Sequence, residues 1–207
     1  MCIGLAAAGR EVFLVWLFLY ESDANMLIEP YAARRFIKGY TSLLLAIGQQ
    51  TGVSDEYEDL AKLAVLRAYL QANPGSLELA IAALAAQGKA LEPDIAHAMR
   101  TLRIDHWVYL RSTTQHAIFI DKESKNAYAI LALNDPVNNI VGKGSAMIQA
   151  GLCEFEGHYV FDGLVTQIVH LGAGYRRSYA DGLAAIKKRG AFHTQCARVG
   201  SQLENQS

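Results

Sequence analysis

The spacing of apolar residues changes near residue 103, and this change constrains the fold more than any other feature of the sequence. From Met26 onward, apolar residues recur at intervals of three and four, which is typical of helices with one buried face. After Arg103, short aromatic and β-branched runs alternate with polar turns, which predicts strands. We therefore predict an α+β fold, with an N-terminal helical layer packed on a C-terminal, mainly antiparallel β-sheet and a final helix.

Turn and cap residues divide this pattern into elements. Four helices are predicted to begin near Met26, near Asp55, at Ser76 and at Pro93. Strands are predicted at 107–110, 117–120, 127–133, 146–155, 158–161 and 164–171, with an edge strand at 191–194. Asp162 and Gly163 indicate either a bulge or a second turn before the long apolar run that follows. The last helix is predicted from about Tyr175 to Arg189, with Tyr175, Tyr179, Leu183 and Ile186 on its buried face.

These boundaries suggest a division of the chain into segments. Residues 1–25 form an N-terminal extension, either an added strand or helix or an upstream extension of the reading frame. Residues 26–103 form a helical subdomain, 104–199 a β-rich subdomain with the C-terminal helix, and 200–207 a disordered tail. The nine apolar residues at 12–20 fall far short of the ~20 that a membrane helix needs, so we predict no membrane partner.

Charge and cysteine content narrow the classes of function. Lys and Arg number 19 against 20 Asp and Glu, so the net charge of −1 provides no global attraction to nucleic acid or anionic lipid. The three cysteines, Cys2, Cys153 and Cys196, lie far apart without CxxC spacing, which favours a reducing, cytoplasmic location and argues against a local cysteine zinc motif. The histidines show no HxH, HxxxH or HExxH pattern. We predict no metal site and no cofactor.

Two segments of the second half resemble a group of uncharacterised bacterial proteins. They are AYAILALND at 127–135 and FEGHYVFDGL at 155–164. In that group a strand ending in a turn precedes a hairpin of the form LPFxGxIxYDGL. This chain has Cys153 and Glu154 where Leu-Pro would stand, and Phe161 where Tyr would stand. The resemblance covers about residues 105–194 and implies the α+β architecture. It implies no activity, because none is known for the group.

Two glycine-rich segments are candidates for anion binding. The segment Gly142-Lys143-Gly144-Ser145 does not match a Walker A loop, because Gly144 separates the lysine from the serine, and we expect a flexible turn there. Gly172-Ala173-Gly174 follows a predicted strand and precedes a helix, but it is not a dinucleotide fingerprint, because Arg177 stands where the third glycine belongs. We predict an anion site made by Gly172, Gly174, Arg176 and Arg177, or else a plain chain turn with solvated arginines.

The last helix also carries a basic patch formed by Lys187, Lys188 and Arg189. Such a cluster is either a solvated helix face or a local contact to a phosphate backbone.

Weaker candidates exist for catalysis. His158, Asp162 and Asp135 could meet in an acid–base cleft, although the alternative is a strand histidine with two turn-forming aspartates. No GxSxG motif is present, and no cysteine has the neighbours of a nucleophile. We therefore expect a non-catalytic binding or regulatory module that contacts a protein or nucleic-acid partner. The alternative is a small hydrolase or nuclease whose acid–base residues come from separate strands.

Overall fold

A computed structural model describes residues 26–52 and 59–197. The predicted N-terminal extension and tail, and the predicted cap of the second helix, lie outside these residues. The helices are α1 (Pro30–Thr51), α2 (Asp59–Ala72), α3 (Ser76–Ala86), α4 (Pro93–Arg100), α5 (Val137–Val141) and α6 (Ala173–Lys188). The strands are β1 (Arg103–Ser112), β2 (Ala117–Asp121), β3 (Ala127–Leu131), β4 (Ala146–Phe155), β5 (His158–His170) and β6 (Phe192–His193). The α+β prediction is confirmed, and within the described ranges no helix is long and apolar enough to cross a membrane.

Helix α1 forms where its sequence provides both a cap and an apolar face. The side chain of Glu29 accepts hydrogen bonds from the N–H groups of Tyr31 and Ala32, which have no partner inside the helix. Pro30 suits the first turn because its missing N–H would be unpaired there in any case. The apolar face predicted from the sequence is buried, and its members are Phe36, Tyr40, Leu43, Leu44 and Ile47.

The sheet closes on itself. Strands β1, β2 and β3 form an antiparallel meander, and β1 also pairs with β4, which forms a hairpin with β5. Strand β5 then pairs in parallel with β3, so five strands complete a small barrel. Strand β6 adds to β3 in parallel, at the position of the predicted edge strand.

Apolar side chains fill the barrel and also cover two parts of its outer surface. Trp107, Phe119 and Phe161 belong to the cluster between the strands, where alternate residues point inward. Outside, α1–α4 pack on Phe155 and Val160 in a cluster that combines residues of both halves of the chain. A third cluster is formed where α6 covers β1 and β2, and its members are Val108, Leu110, Ile118, Ile120, Ala127, Leu183 and Ile186.

The register of the β4–β5 hairpin decides which loops become neighbours. His158 pairs with Phe155 at the turn, and His170 pairs with Ala146 at the far end. Irregular pairing between Gln149 and Leu152 absorbs the extra residues of β5, so the sequence signal at 162–163 marks a bulge in one continuous strand. Because the hairpin ends are paired, the loop before β4 lies beside the chain entering α6.

The first turn of α6 differs from the prediction. Tyr175 is 69% exposed, whereas the sequence pattern placed it on the buried face. Tyr179 packs partly against the third cluster, and only Leu183 and Ile186 are buried in the described part of this helix. The helix therefore contacts the barrel through its later turns, and its first turn lies in solvent.

Candidate functional site

A cleft with a volume of about 590 Å³ lies between the end of β1, the loop before β4 and the start of α6. Its wall is formed by Tyr109, Leu110, Arg111, Ser112, Asn138, Lys143, Gly144, Ser145, Ala173, Arg176, Arg177 and Ala180. The two glycine-rich segments, which lie far apart in the sequence, thus meet in one cleft. We call this the cationic cleft.

Ser145 holds the cleft together. Its hydroxyl donates to the carbonyl of Leu110 on β1 at 2.6 Å, and its own carbonyl accepts from the N–H of Leu171 at 2.8 Å. Ser145 is buried, so both bonds are shielded from water. They fix the loop before β4 against β1 and against the segment that enters α6.

The loop segment 142–145 depends on its glycines. Gly142 and Gly144 have φ angles of +90° and +100°, a region that side chains strongly disfavour. The alternation of two such glycines turns the backbone around Lys143, which is exposed and lines the cationic cleft. The backbone bends at this segment, and Lys143 lines the same cleft as the start of α6.

The start of α6 provides hydrogen-bond donors. Gly172 is the N-cap residue, and because glycine has no side chain, no side-chain acceptor caps the first N–H groups of the helix. Gly174 lies in this first turn, and the first helical bond runs from the N–H of Arg176 to the carbonyl of Gly172 at 3.0 Å. Uncapped N–H groups and the helix dipole together favour an anion at such a position.

The charges around the cleft have one sign. Arg111, Lys143, Arg176 and Arg177 all line it, and no Asp or Glu is among the residues of its wall. All four side chains are exposed and therefore free to rotate toward a ligand. The nearest acid on the helix, Asp181, lies one turn beyond Arg177 and is not part of the wall.

The other bases of the last helix lie away from the cleft. The ammonium group of Lys187 lies 4.7 Å from the centre of the Phe192 ring, a cation–π contact. Arg189 donates to the carbonyls of Ser124 and Lys125, which fastens the end of α6 to the β2–β3 turn. Lys188 is exposed at the last position of the helix. The predicted basic patch is thus divided, since two of its three members make contacts within the protein.

Asp162 belongs to a buried ion pair. Its carboxylate lies 3.0 Å from the guanidinium of Arg67 on α2, and the two side chains are 0% and 2% exposed. It also accepts hydrogen bonds at 3.1 Å from the hydroxyl of Tyr40 and from the N–H groups of Gly151 and Leu164. Burial raises the pKa of Asp162, while Arg67 opposes this effect. The network ties the helical layer to the barrel.

Sequence reasoning missed Arg67. A usable signal existed, because this is a single charged residue in the apolar run LAVLRAYL at 63–70. A charge on the buried face of a helix requires a buried partner. No local pattern identifies Asp162, 95 residues away, as that partner.

The three candidate acid–base residues are placed differently in the fold. Asp162 is enclosed by the bonds just described. His158 begins β5 and is half-buried, about 13 Å along the strand from Asp162 at the usual rise per residue. Asp135 is exposed in the turn after β3.

The described cysteines are not activated nucleophiles. Cys153 is buried, and burial raises the pKa of its thiol well above the ordinary value. Burial, together with the charge of Glu154, also raises the pKa of Cys196 to about 11. A thiol that stays protonated at neutral pH is a poor nucleophile.

Comparison with known proteins provides no assignment of this site. No family model matches the chain, and no curated protein and no solved structure matches it. The resemblance of the segments 127–135 and 155–164 to uncharacterised bacterial proteins therefore stays a prediction.

Proposed function

We propose that this chain is a non-catalytic binding module that holds an oxyanion, phosphate in the first place, in the cationic cleft. One observation carries the proposal. Four cationic side chains from three different segments line one cleft whose wall contains no acid. Guanidinium groups suit phosphate because their N–H groups form paired, charge-assisted hydrogen bonds with two of its oxygens.

The backbone supports the same function. The uncapped start of α6 lies in the same wall as Arg176 and Arg177, so helix N–H groups and guanidinium groups would contact one anion together. The bonds of Ser145 hold the loop that carries Lys143 in place before any ligand arrives. A site that is already ordered loses less entropy when it binds its ligand.

The alternative, a hydrolase or nuclease built on His158, Asp162 and Asp135, is weaker. Asp162 has its carboxylate oxygens engaged by Arg67, Tyr40 and two backbone N–H groups. A general base needs a lone pair that faces the substrate. We therefore assign Asp162 a structural role, as the partner of Arg67.

The test is the binding of inorganic phosphate and pyrophosphate at low ionic strength, measured by isothermal titration calorimetry. Replacing both Arg176 and Arg177 with Ala is expected to weaken binding by at least about tenfold, because charge-assisted bonds are lost. The melting temperature is expected to change by less than about 2 °C, because exposed charges contribute little to folding.

A matched control carries Ala in place of Arg34 and Lys38, two exposed bases of α1 outside the cleft. It removes the same charge and is expected to bind like the unmodified protein. If both double variants lose affinity equally, binding follows overall charge and the cleft is not the site. A large loss of stability in the Arg176/Arg177 variant would mean that these arginines have structural partners.

A further inference from the structure

The second half of strand β5 has one edge that no described strand covers. On one side β5 pairs with β4 along its length, but on the other side it pairs with β3 only at 159–160. The N–H of Leu171 donates to the carbonyl of Ser145, and the bonds of an antiparallel ladder alternate along each strand. The N–H and C=O groups of Ile168 and His170 therefore point away from β4, where the described residues provide no backbone partner for them.

This edge is open to solvent on both faces of the sheet. Residues 167–170 are all exposed, and we call them the free edge of β5. Ile168 is 41% and Val169 62% exposed, and because side chains alternate along a strand they lie on opposite faces. Proteins often block an edge strand with a lysine or a proline, but the free edge contains neither. Such an edge can pair with an extended peptide, whose N–H and C=O groups complement its own.

The free edge leads to the cationic cleft. His170, the last residue of β5, pairs with Ala146, the first residue after the loop of the cleft wall. Its ring also lies beside that loop, since a Cβ atom added at Gly142 would be 3.6 Å from the Cε1 atom of His170. Beyond His170, two residues separate the strand from Ala173 in the wall. A strand added along the free edge would therefore end next to the cleft.

We propose that the chain binds an extended segment of another protein that carries a phosphorylated residue. This inference rests on the proposed function. The backbone of the segment adds to β5 at Ile168 and His170, and its phosphate lies in the cationic cleft. The charges are complementary, because the cleft wall holds four cations and no acid. Guanidinium groups form charge-assisted hydrogen bonds with phosphate, whose charge of nearly −2 exceeds that of a carboxylate.

A peptide fits this surface better than a nucleic-acid strand does. Tyr175 is 69% exposed beside Arg176, and an exposed ring can stack on a base. However, Tyr175 is not part of the cleft wall, and it lies on the helix face of Ile186, whereas Arg177 and Ala180 line the cleft from another face. A nucleic-acid backbone also has no N–H groups that could pair with the carbonyls of the free edge.

Calorimetry with synthetic peptides tests this assignment. The probes have blocked ends and the sequences Thr-Val-Thr-Val-Thr-Gly-phosphoserine and phosphoserine-Gly-Thr-Val-Thr-Val-Thr, so that both strand directions are sampled. The better probe is expected to bind about tenfold or more tightly than inorganic phosphate, because it adds backbone hydrogen bonds and covers apolar side chains. The same peptide without its phosphate is expected to bind at least about tenfold more weakly. A phosphopeptide with proline in place of each valine cannot add as a strand and is expected to bind like inorganic phosphate.

Replacing Ile168 with Pro assigns the effect to the free edge. Proline is tolerated on an edge strand where the N–H points outward, and here it removes a donor that the added strand needs. The Ile168→Pro variant is expected to lose the preference for the phosphopeptide while its affinity for inorganic phosphate stays within about twofold, because Ile168 is not in the cleft wall. Ile168→Thr is the matched control, since it keeps the backbone N–H, and it is expected to retain most of the preference.

Hydrogen exchange of the ¹⁵N-labelled, unmodified protein gives a readout that needs no substitution. The amides of Ile168 and His170 are expected to exchange rapidly in the free protein and at least about tenfold more slowly with the phosphopeptide bound. The amide of Val169 points toward β4 and serves as the internal control, because its exchange is expected to be slow in both states.

The outcomes separate this inference from the proposed function. Equal affinity for the phosphopeptide, its proline-containing analogue and inorganic phosphate would overturn strand addition and leave the anion site standing. Equal affinity for the phosphorylated and unphosphorylated peptides would overturn the phosphate contact. Tighter binding of a thymidine oligonucleotide than of the phosphopeptide would replace the peptide by a nucleic-acid strand. Absence of binding for inorganic phosphate and for every phosphopeptide would overturn the proposed function itself.

Discussion

Replacing Asp162 with Asn is expected to destabilise the protein strongly, because it leaves the guanidinium of Arg67 buried without a countercharge. Asn has the size of Asp, so the change removes the charge with little change in packing. Arg67 would keep only neutral acceptors, which include the carbonyl of Leu164 at 2.6 Å and the hydroxyl of Thr166 at 3.2 Å. Its Nε atom already has no hydrogen-bond partner.

The magnitude follows from this burial. Removing one member of a buried ion pair typically costs about 3–5 kcal/mol, because the remaining charge is uncompensated. For a chain of this length each kcal/mol lowers the melting temperature by about 2–4 °C, so a decrease of roughly 6–20 °C is expected. Replacing Arg67 with Met in the same chain is expected to restore part of the loss, since both charges are then absent.

Urea denaturation followed by circular dichroism measures the free energy of unfolding of the four chains that form this double-mutant cycle. Asp135→Asn is the control, because Asp135 is exposed and the substitution is expected to change stability by less than about 0.5 kcal/mol. A loss below about 1 kcal/mol for Asp162→Asn would refute the reasoning. The structural role assigned to Asp162 would then fall, and its catalytic interpretation would regain weight.

Two further predictions concern stability. Gly151→Ala is expected to destabilise the fold by about 1–3 kcal/mol in the same denaturation assay, because the added Cβ atom would collide with the Asp162 carboxylate. Gly182→Ala is expected to stabilise the fold by about 0.5–1 kcal/mol, because the added Cβ atom on α6 meets no other atom and alanine favours the helix. A neutral Gly151→Ala would show that β4 can move away from Asp162. Burial lowers the pKa of the His116 imidazole, and the charge of Lys187 lowers it further. The neutral imidazole therefore contributes stability that is present above the pKa of the unfolded state. This contribution is lost as the pH falls through the pKa of the folded state. Thermal melts between pH 7 and pH 5 are therefore expected to show a smaller loss of stability in His116→Gln than in the unmodified protein, and equal losses would contradict the assigned shift.

Local sequence patterns predicted the elements because each element depends on neighbouring residues. The helical spacing around Phe36 and Leu43, the cap signals and the hairpin turn at Glu156 all correspond to elements of the fold. The prediction that Tyr175 is buried was wrong. Apolar spacing shows which residues share a helix face, but it does not show how far the barrel extends beneath that face.

The cationic cleft was only half predictable. Both glycine-rich segments were visible in the sequence, but their convergence depends on the pairing of Ala146 with His170. That register requires the signal at Asp162 and Gly163 to be a bulge, because a turn there would separate the two segments. The pairing of Arg67 with Asp162 likewise depends on packing between distant parts of the chain.

The most direct test of the account is a titration of the ¹⁵N-labelled protein with inorganic phosphate, followed through the backbone amide resonances. We expect the largest shifts at 142–145 and 172–177, and we expect the amides of Arg34 and Lys38 on α1 to stay unchanged. Saturating shifts confined to the two glycine-rich segments would support the cationic cleft as the anion site. Shifts spread evenly over exposed bases, or absent from both segments, would contradict it.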